Sequence, residues 1–374
     1  MDVIVVGGGA IGLAVAWRAA VAGLQVAVVD PKPGRGASYA SAGMLAPVGE
    51  ATYGEQALLD LNLASWRLYP KFIAELEEAA GGSTGYRRSG MLLVARDADE
   101  NAALERDYRF RQGLGLSVQR LTSSECRQLE PGLAPSIRGG MIANGDAQVD
   151  PRRLLGAMMR ACARAGVEFV CRRASVHVAR DRVGGVRLED GRGVAANTVV
   201  LAAGCWSALV EGLPDDAIPP VRPVKGQTLR LIGPRTPEIV SRMVRGADVY
   251  IVPRADGRLL VGATMEERGF DTTATAGGVY QLLRDARELI PDIAELELSA
   301  VGVGLRPGTP DNAPLIGEST LPGLLVATGH YRNGILLTPI TGVAIASLLT
   351  GAAPPAEVAP FSPARFARVP QEVA

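Results

Sequence analysis

Histidine and cysteine are both scarce: the 374 residues contain two histidines, His177 and His330, and four cysteines, Cys126, Cys162, Cys171 and Cys205. The cysteines lack C-x-x-C spacing and partner histidines, so neither a zinc site nor a disulfide framework is supported, and no metal is expected. No run of about 18 apolar residues occurs, and no basic leader or apolar core of a signal peptide precedes the first strand. That reads as a cytoplasmic protein without a membrane segment. Charge of one sign is missing too, with 39 basic residues against 39 acidic ones. Without a basic stripe, no nucleic-acid partner is expected. Only Lys32, Lys71 and Lys225 among those basic residues are lysines, a bias from which no function follows.

Apolar residues and glycine are abundant. A hydrophobic content of 47% with 21% charged residues describes a soluble globular protein, long enough for two domains. Residues 3 to 12 read Val-Ile-Val-Val-Gly-Gly-Gly-Ala-Ile-Gly, an apolar strand entering Gly7, Gly9 and Gly12 at G-x-G-x-x-G spacing. Gly7 permits the tight turn, Gly9 lets backbone approach a pyrophosphate, and Gly12 lets the next helix lie close to the sheet. Among 45 glycines that spacing alone is weak, but its context is complete. An Ala-rich helix over residues 13 to 22 ends at Gly23, and a second strand over 25 to 29 ends at Asp30, placed to accept hydrogen bonds from a ribose. The plainer alternative is an ordinary βαβ unit with a surface aspartate. Asp30 would repel a ribose 2′-phosphate, which argues against NADP.

Residues 34 to 47 form a small-residue loop in which backbone amides can approach a ligand; a surface linker is the alternative, against which Met44 and Leu45 are needlessly apolar. The pattern then predicts a helix over 55 to 80 broken at Pro70, a strand over 90 to 95 and a polar helix over 99 to 112. A helix over 152 to 165 with Pro151 at its start precedes strands at 167 to 170, 174 to 179 and 183 to 189. The apolar strand 198 to 204 runs into Gly204, a second close approach of backbone to a ligand. Pro219, Pro220 and Pro223 mark a domain crossing, followed by antiparallel strands over 224 to 265. Gly304-Leu-Arg-Pro-Gly-Thr-Pro-Asp311 reads as a rigid turn carrying Arg306, and Gly329-His-Tyr-Arg-Asn-Gly334 opens a helix from Ile335 to Leu349 whose N-terminus is an anion or dipole acceptor site.

The Gly-rich βαβ unit, Ala42-Gly-Met-Leu-Ala-Pro47, Tyr250-Ile-Val-Pro-Arg254, Gly262-Ala-Thr-Met265, Gly304-Leu-Arg-Pro-Gly-Thr309 and Gly329-His-Tyr-Arg-Asn-Gly-Ile-Leu-Leu337 together resemble the glycine oxidases of thiamine biosynthesis, a branch of the D-amino-acid oxidase superfamily. The resemblance runs over nearly the whole chain. It implies an α/β fold: a discontinuous Rossmann-like FAD-binding domain (1–85, 146–220 and 302–374) and an α+β substrate domain with a largely antiparallel sheet (86–145 and 221–301). It implies non-covalent FAD, a small amino-acid substrate, O₂ as acceptor and a homo-oligomer, the family often forming tetramers.

By position, the resemblance sets Ala10, Ile11, Asp30 and Pro31 against the adenosine and pyrophosphate. Ala37, Ser38, Ala42, Gly43 and Met44 would meet the phosphates and flavin edge, and Val176 the adenine. His330, Tyr331, Arg332, Asn333, Gly334, Ile335 and Leu336 would line the flavin, adding to Gly7, Gly9, Gly12 and Gly204. Arg306 is the expected clamp for the substrate carboxylate, since a guanidinium fork matches it in bidentate fashion; an ion pair with Asp311 is the structural alternative. Tyr250 would add a phenol hydrogen bond or else be a packed strand aromatic, and Arg332 would border the pocket. The implied chemistry is hydride transfer from Cα–H to flavin N5 without a general base, giving an imine that hydrolyses to glyoxylate and ammonia, with H₂O₂ from O₂. His330 is read as a hydrogen-bonding residue and not a base; Lys225 either assists oxygen or is a turn lysine at a domain crossing. Asp248, near Tyr250, leaves glycine, sarcosine and small D-amino acids all open as substrates. The alternatives are a flavin dehydrogenase for a D-amino or N-methyl amino acid that passes electrons to a quinone, and a flavin-binding protein without turnover.

Overall fold

Unbroken apolar runs make central parallel strands, because a strand covered on both faces has no use for alternation. Val3–Val6 pairs in parallel with Val26–Val29 on one side and Thr198–Leu201 on the other. The six-stranded sheet reads Leu315–Glu318, Leu324–Thr328, Thr198–Leu201, Val3–Val6, Val26–Val29, Glu168–Val170, and only its first strand is antiparallel to its neighbour. Val3, Val5, Val26 and Val28 pack with the helices Ala10–Val21, Gln56–Ala80, Pro151–Arg164 and Thr338–Leu349. Ile4, Val6, Ala27 and Val29 face the opposite way, into a core shared with a three-stranded sheet, Ala174–Ala179, Arg182–Leu188 and Gly193–Ala195. The computed structural model describes residues 1–233 and 238–366.

A second, eight-stranded sheet is largely antiparallel and runs Glu297–Gly308, Arg222–Ile232, Arg258–Gly262, Tyr250–Pro253, Met243–Arg245, Met91–Ala95, Gly139–Ala143, Gln119–Thr122. Its one parallel contact joins Met243–Arg245 to Met91–Ala95. Period-two alternation divides its two faces. Ile251 and Val261 turn toward the helix Ala276–Leu289, while Tyr250, Val252 and Leu260 turn toward Ala42, Met44 and Ala46. That second face meets the loop that leaves the parallel sheet, so the space between the sheets is bounded by both.

Several sequence expectations need correction. The helix Gln56–Ala80 runs through Pro70 without a break. Pro70 lies on the exposed side, and the buried Tyr69, Phe72 and Ile73 hold the helix in place. Gly304–Gly308 is no turn: it ends the long strand Glu297–Gly308, in register with Arg222–Ile232. The C-terminal helix begins at Thr338, with residues 334 to 337 as turns before it. Residues 34 to 47 are also more ordered than a plain loop, holding the short helix Ala37–Ala40 and the strand Met44–Leu45, which pairs with Ala147–Gln148.

Candidate active site

The turn after the first strand is shaped by what it excludes. Gly7 has φ +111°, and a Cβ there would collide with the Ala202 carbonyl. One on Gly12 would fall on the Gly7 carbonyl oxygen, so the helix Ala10–Val21 packs close to the sheet only because Gly12 has no side chain. At Gly9 a Cβ would meet only Ser38 Oγ, at 3.6 Å, so this is the open edge of the turn. The N-cap residue, Gly9, has no side chain to cap the helix, and the first amide, at Ala10, donates instead to the distant Ser38 Oγ at 3.2 Å. The Asp30 carboxylate closes the far side, accepting from Gly8 N at 2.6 Å and Lys32 N at 2.7 Å. Backbone donors, a helix start whose N-cap is glycine and an accepting acid at the end of the second strand are the groups a dinucleotide diphosphate and its ribose require, so the residues present fit FAD.

Across the gap, Arg306 sits on Glu297–Gly308 opposite Val224. Its Nη1 donates to the carbonyls of Thr264 (3.2 Å) and Lys225 (3.4 Å), and its guanidinium lies over Gly226, where a Cβ would stand 2.6 Å from Arg306 Cζ. Asp311 is not its partner, being held by Arg365 at 2.9 Å; among the described residues no carboxylate neutralises Arg306. Tyr250 stands opposite Gly262, which leaves room for its ring: a Cβ on Gly262 would be 2.6 Å from the phenol oxygen. Loss of solvent raises the Tyr250 phenol above its usual range, against the pull of the adjacent Arg306. It therefore stays protonated, a donor beside an unpaired guanidinium.

The turn 329–334 approaches this pair through a hydrogen bond from Tyr331 N to Pro307 O at 3.0 Å. His330 is buried, its Nε2 is 3.0 Å from Thr341 Oγ1, and burial lowers its pKa to about 3. It is neutral at physiological pH and already has a protein partner, as have two other groups expected at the cofactor: Val176 N donates to Glu211 O at 2.8 Å, and Gly204 O, at the start of the short 3₁₀ helix Gly204–Leu209, accepts from Thr328 Oγ1 at 3.0 Å. Val176's side chain is buried against the parallel sheet, so only its backbone can face a ligand. Arg332 is exposed, stacks over Tyr331 at 5.5 Å, and lines a cleft with Glu50, Glu55, Asn62 and Asn333. Pro31 is exposed beside Asp30, whereas Ile335 and Leu336 are buried and give their carbonyls to Tyr69 Oη and Ser65 Oγ, each at 2.6 Å. Lys225 is not a turn lysine: it lies within Arg222–Ile232, fully buried, with Nζ 2.6 Å from Asp271 and 3.7 Å from Glu266. Asp248 turns outward, 3.4 Å from Arg96.

Two neighbours of Tyr250 escaped sequence reasoning. Glu50 and Arg245 pair at 3.0 Å, and both act electrostatically on the Tyr250 phenol. Glu50 lies three residues past Pro47, where the small-residue loop was taken to end, and Arg245 sits in a three-residue strand; neither had a local signal.

With this geometry established, comparison with known proteins is informative. Residues 2–348 match the family described as FAD dependent oxidoreductase. The chain is 38% identical over 364 residues to a glycine oxidase of Geobacillus kaustophilus, covering 96% of each chain. The crystal structure of glycine oxidase from Geobacillus kaustophilus superposes with a TM-score of 0.89 at 37% identity, covering 98% of each chain. A hydrogen cyanide synthase subunit HcnC of Pseudomonas aeruginosa is 31% identical over 410 aligned positions, covering 100% of this chain and 98% of its own.

Proposed function

The chain belongs to the FAD dependent oxidoreductase family, and from that premise we propose that it oxidises glycine, with sarcosine and small D-amino acids as further candidates, using O₂ as acceptor. The observation that carries this reading is Arg306: a cation without a carboxylate partner among the described residues, beside a protonated phenol, on the sheet face that looks toward the dinucleotide cradle. Bound at Gly7–Gly12 and Asp30, FAD supplies the electron acceptor for a hydride leaving the substrate Cα.

Arg306 takes the substrate carboxylate, and Tyr250 donates a hydrogen bond to it; together they fix where Cα stands, which is the larger part of the catalytic task. His330, neutral and committed to Thr341, takes no proton from the amine. Loss of two hydrogens across Cα–N leaves an imine, which water converts to glyoxylate and ammonia; the electrons reduce O₂ to H₂O₂. The division into a discontinuous nucleotide domain and a substrate domain, a cytoplasmic homo-oligomer and a supply of imine to thiamine thiazole formation belong to the same reading. The relatives' names and the motif resemblance support it. A quinone-linked dehydrogenase differs only in the acceptor.

The test is anaerobic addition of glycine to the purified FAD-loaded protein. Bleaching of the flavin band, reversed by air, is expected. A yellow protein that glycine leaves unchanged overturns glycine as substrate, and bleaching that air reverses only slowly favours the dehydrogenase.

A further inference from the structure

The segment Val48-Gly49-Glu50-Ala51 is held from both sides by two buried charged residues that the proposed reaction does not use. Asp146 follows Gly139–Ala143 and is fully buried; Oδ1 accepts from Val48 N at 3.2 Å and Oδ2 from Gly49 N at 2.8 Å. Arg111, near the end of the helix Ala98–Gly113, is 3% exposed; Nε donates to Val48 O at 2.9 Å, and Nη2 to Gly49 O at 3.0 Å and Ala51 O at 3.1 Å. Five hydrogen bonds thus fix the amides and carbonyls of three residues around Glu50. Gly49 itself has no spare room: a Cβ would strike Met91 Sδ and stand 2.8 Å from Asp146 Oδ2.

What this clamp orients is one wall of the cleft that Arg332 borders. The Glu50 carboxylate accepts from Arg245 at 3.0 Å, acts on the Tyr250 phenol, and lines the cleft with Arg332. A pair of buried charges is weak evidence for stability, because desolvation offsets most of their attraction; its fixed geometry is the better-attested use. We propose that Asp146 and Arg111 are positioning residues: by clamping 48–51 they hold Glu50 in its ion pair with Arg245, within electrostatic reach of Tyr250, and so set the affinity of the site for the substrate carboxylate. This rests on the amino-acid oxidase reading given above.

The clamp also has a charge state. Burial pushes the Asp146 carboxyl up to about 7, opposed by the two amides and by Arg111, and assisted by the negative charge of Glu50. The groups facing Arg111 are Asp107 at 3.5 Å, Arg245 and Tyr53. Protonating Asp146 weakens its hold on Val48 and Gly49, so substrate affinity falls as pH drops through that value.

The experiment uses the FAD-loaded full chain with Asp146→Asn and, separately, Arg111→Lys. Acetate, a carboxylate that cannot be oxidised, is titrated against the flavin spectrum, glycine KM and kcat are measured, and hydrogen exchange is followed at Val48 and Gly49. Expected are unchanged FAD content, acetate Kd and glycine KM raised about tenfold with kcat within about twofold, and faster exchange at both amides. In the unsubstituted protein the acetate Kd rises as pH falls from about 8 to about 6, a dependence lost in Asp146→Asn. Unaltered acetate Kd in both variants overturns the proposal. So does a flat pH dependence in the unsubstituted protein, a measurement that stands even if neither variant folds. Tight acetate binding without reduction by glycine would instead overturn the substrate reading and leave the clamp to be judged on acetate alone.

Discussion

On the parallel sheet the proposed binding surface is backbone. Gly7, Gly9 and Gly12 clear space for it, the helix start supplies amides, and a single carboxylate, Asp30, closes it. On the antiparallel sheet the surface is side chain: Arg306, Tyr250, Glu50 and Arg245, each held by carbonyls, glycines or an opposite charge contributed by another strand or loop. A diphosphate is large and bound alike in every turnover, so a short contiguous motif can serve it. A small amino acid offers a carboxylate and little else, so its site needs a cation whose position is fixed by distant parts of the chain.

Breaking the backbone side has the largest expected effect. Gly12→Val forces the helix Ala10–Val21 away from the Gly7 carbonyl and costs more than about 3 kcal/mol, enough to abolish FAD retention, read as loss of the flavin band and of thermal stability. On the side-chain half, Arg306→Leu leaves the flavin bound and raises glycine KM by about two orders of magnitude, the worth of roughly 3 kcal/mol of charged hydrogen bonding. An unchanged KM would sink the assignment of Arg306.

Gly226→Ala sharpens the comparison, since it alters a glycine without touching the nucleotide cradle. Its Cβ pushes the Arg306 guanidinium aside, and KM rises about tenfold with FAD content intact. A fall in FAD content instead would show that the two halves are not separable. The smallest effect is expected at the C-terminal turn. Thr341→Val leaves His330 buried without its partner and costs about 1–2 kcal/mol of stability, seen as a lower Tm, with KM unchanged. His330 also makes a pH prediction. Its folded pKa, about 3, lies below the unfolded value of 6.5, so the unfolded chain binds the extra proton. Stability is full above about pH 6.5 and declines as pH falls toward 3; a His330→Asn variant shows a shallower acid limb in thermal melts.

Much of the first half of this comparison was legible in the chain. The strand Val3–Val6, the glycine spacing, the helix and Asp30 follow one another within 30 residues, and local chemistry constrains each. The fold class came from the resemblance that the six motifs carry, and the apolar runs and turn residues agree with it. The misreadings share a cause. Pro70 and the prolines and glycines around Arg306 carry strong local signals for a break or a turn, yet burial of Tyr69, Phe72 and Ile73 carries one helix through, and pairing with Arg222–Ile232 keeps the other segment extended.

By itself, then, the sequence determined the local shape of the proposed nucleotide cradle and the kinds of residue available for a substrate carboxylate, because dihedral limits, helix ends and charge act over a few neighbouring residues. Only the tertiary structure decided that Asp311 goes to Arg365 and leaves Arg306 without a carboxylate partner among the described residues, that Lys225 is buried in an ion pair, and that Asp146 and Arg111, 35 positions apart by their numbering, close on the one loop that carries Glu50. Electrostatic pairing is settled by distance and desolvation in space, and neither quantity is a property of spacing along the chain.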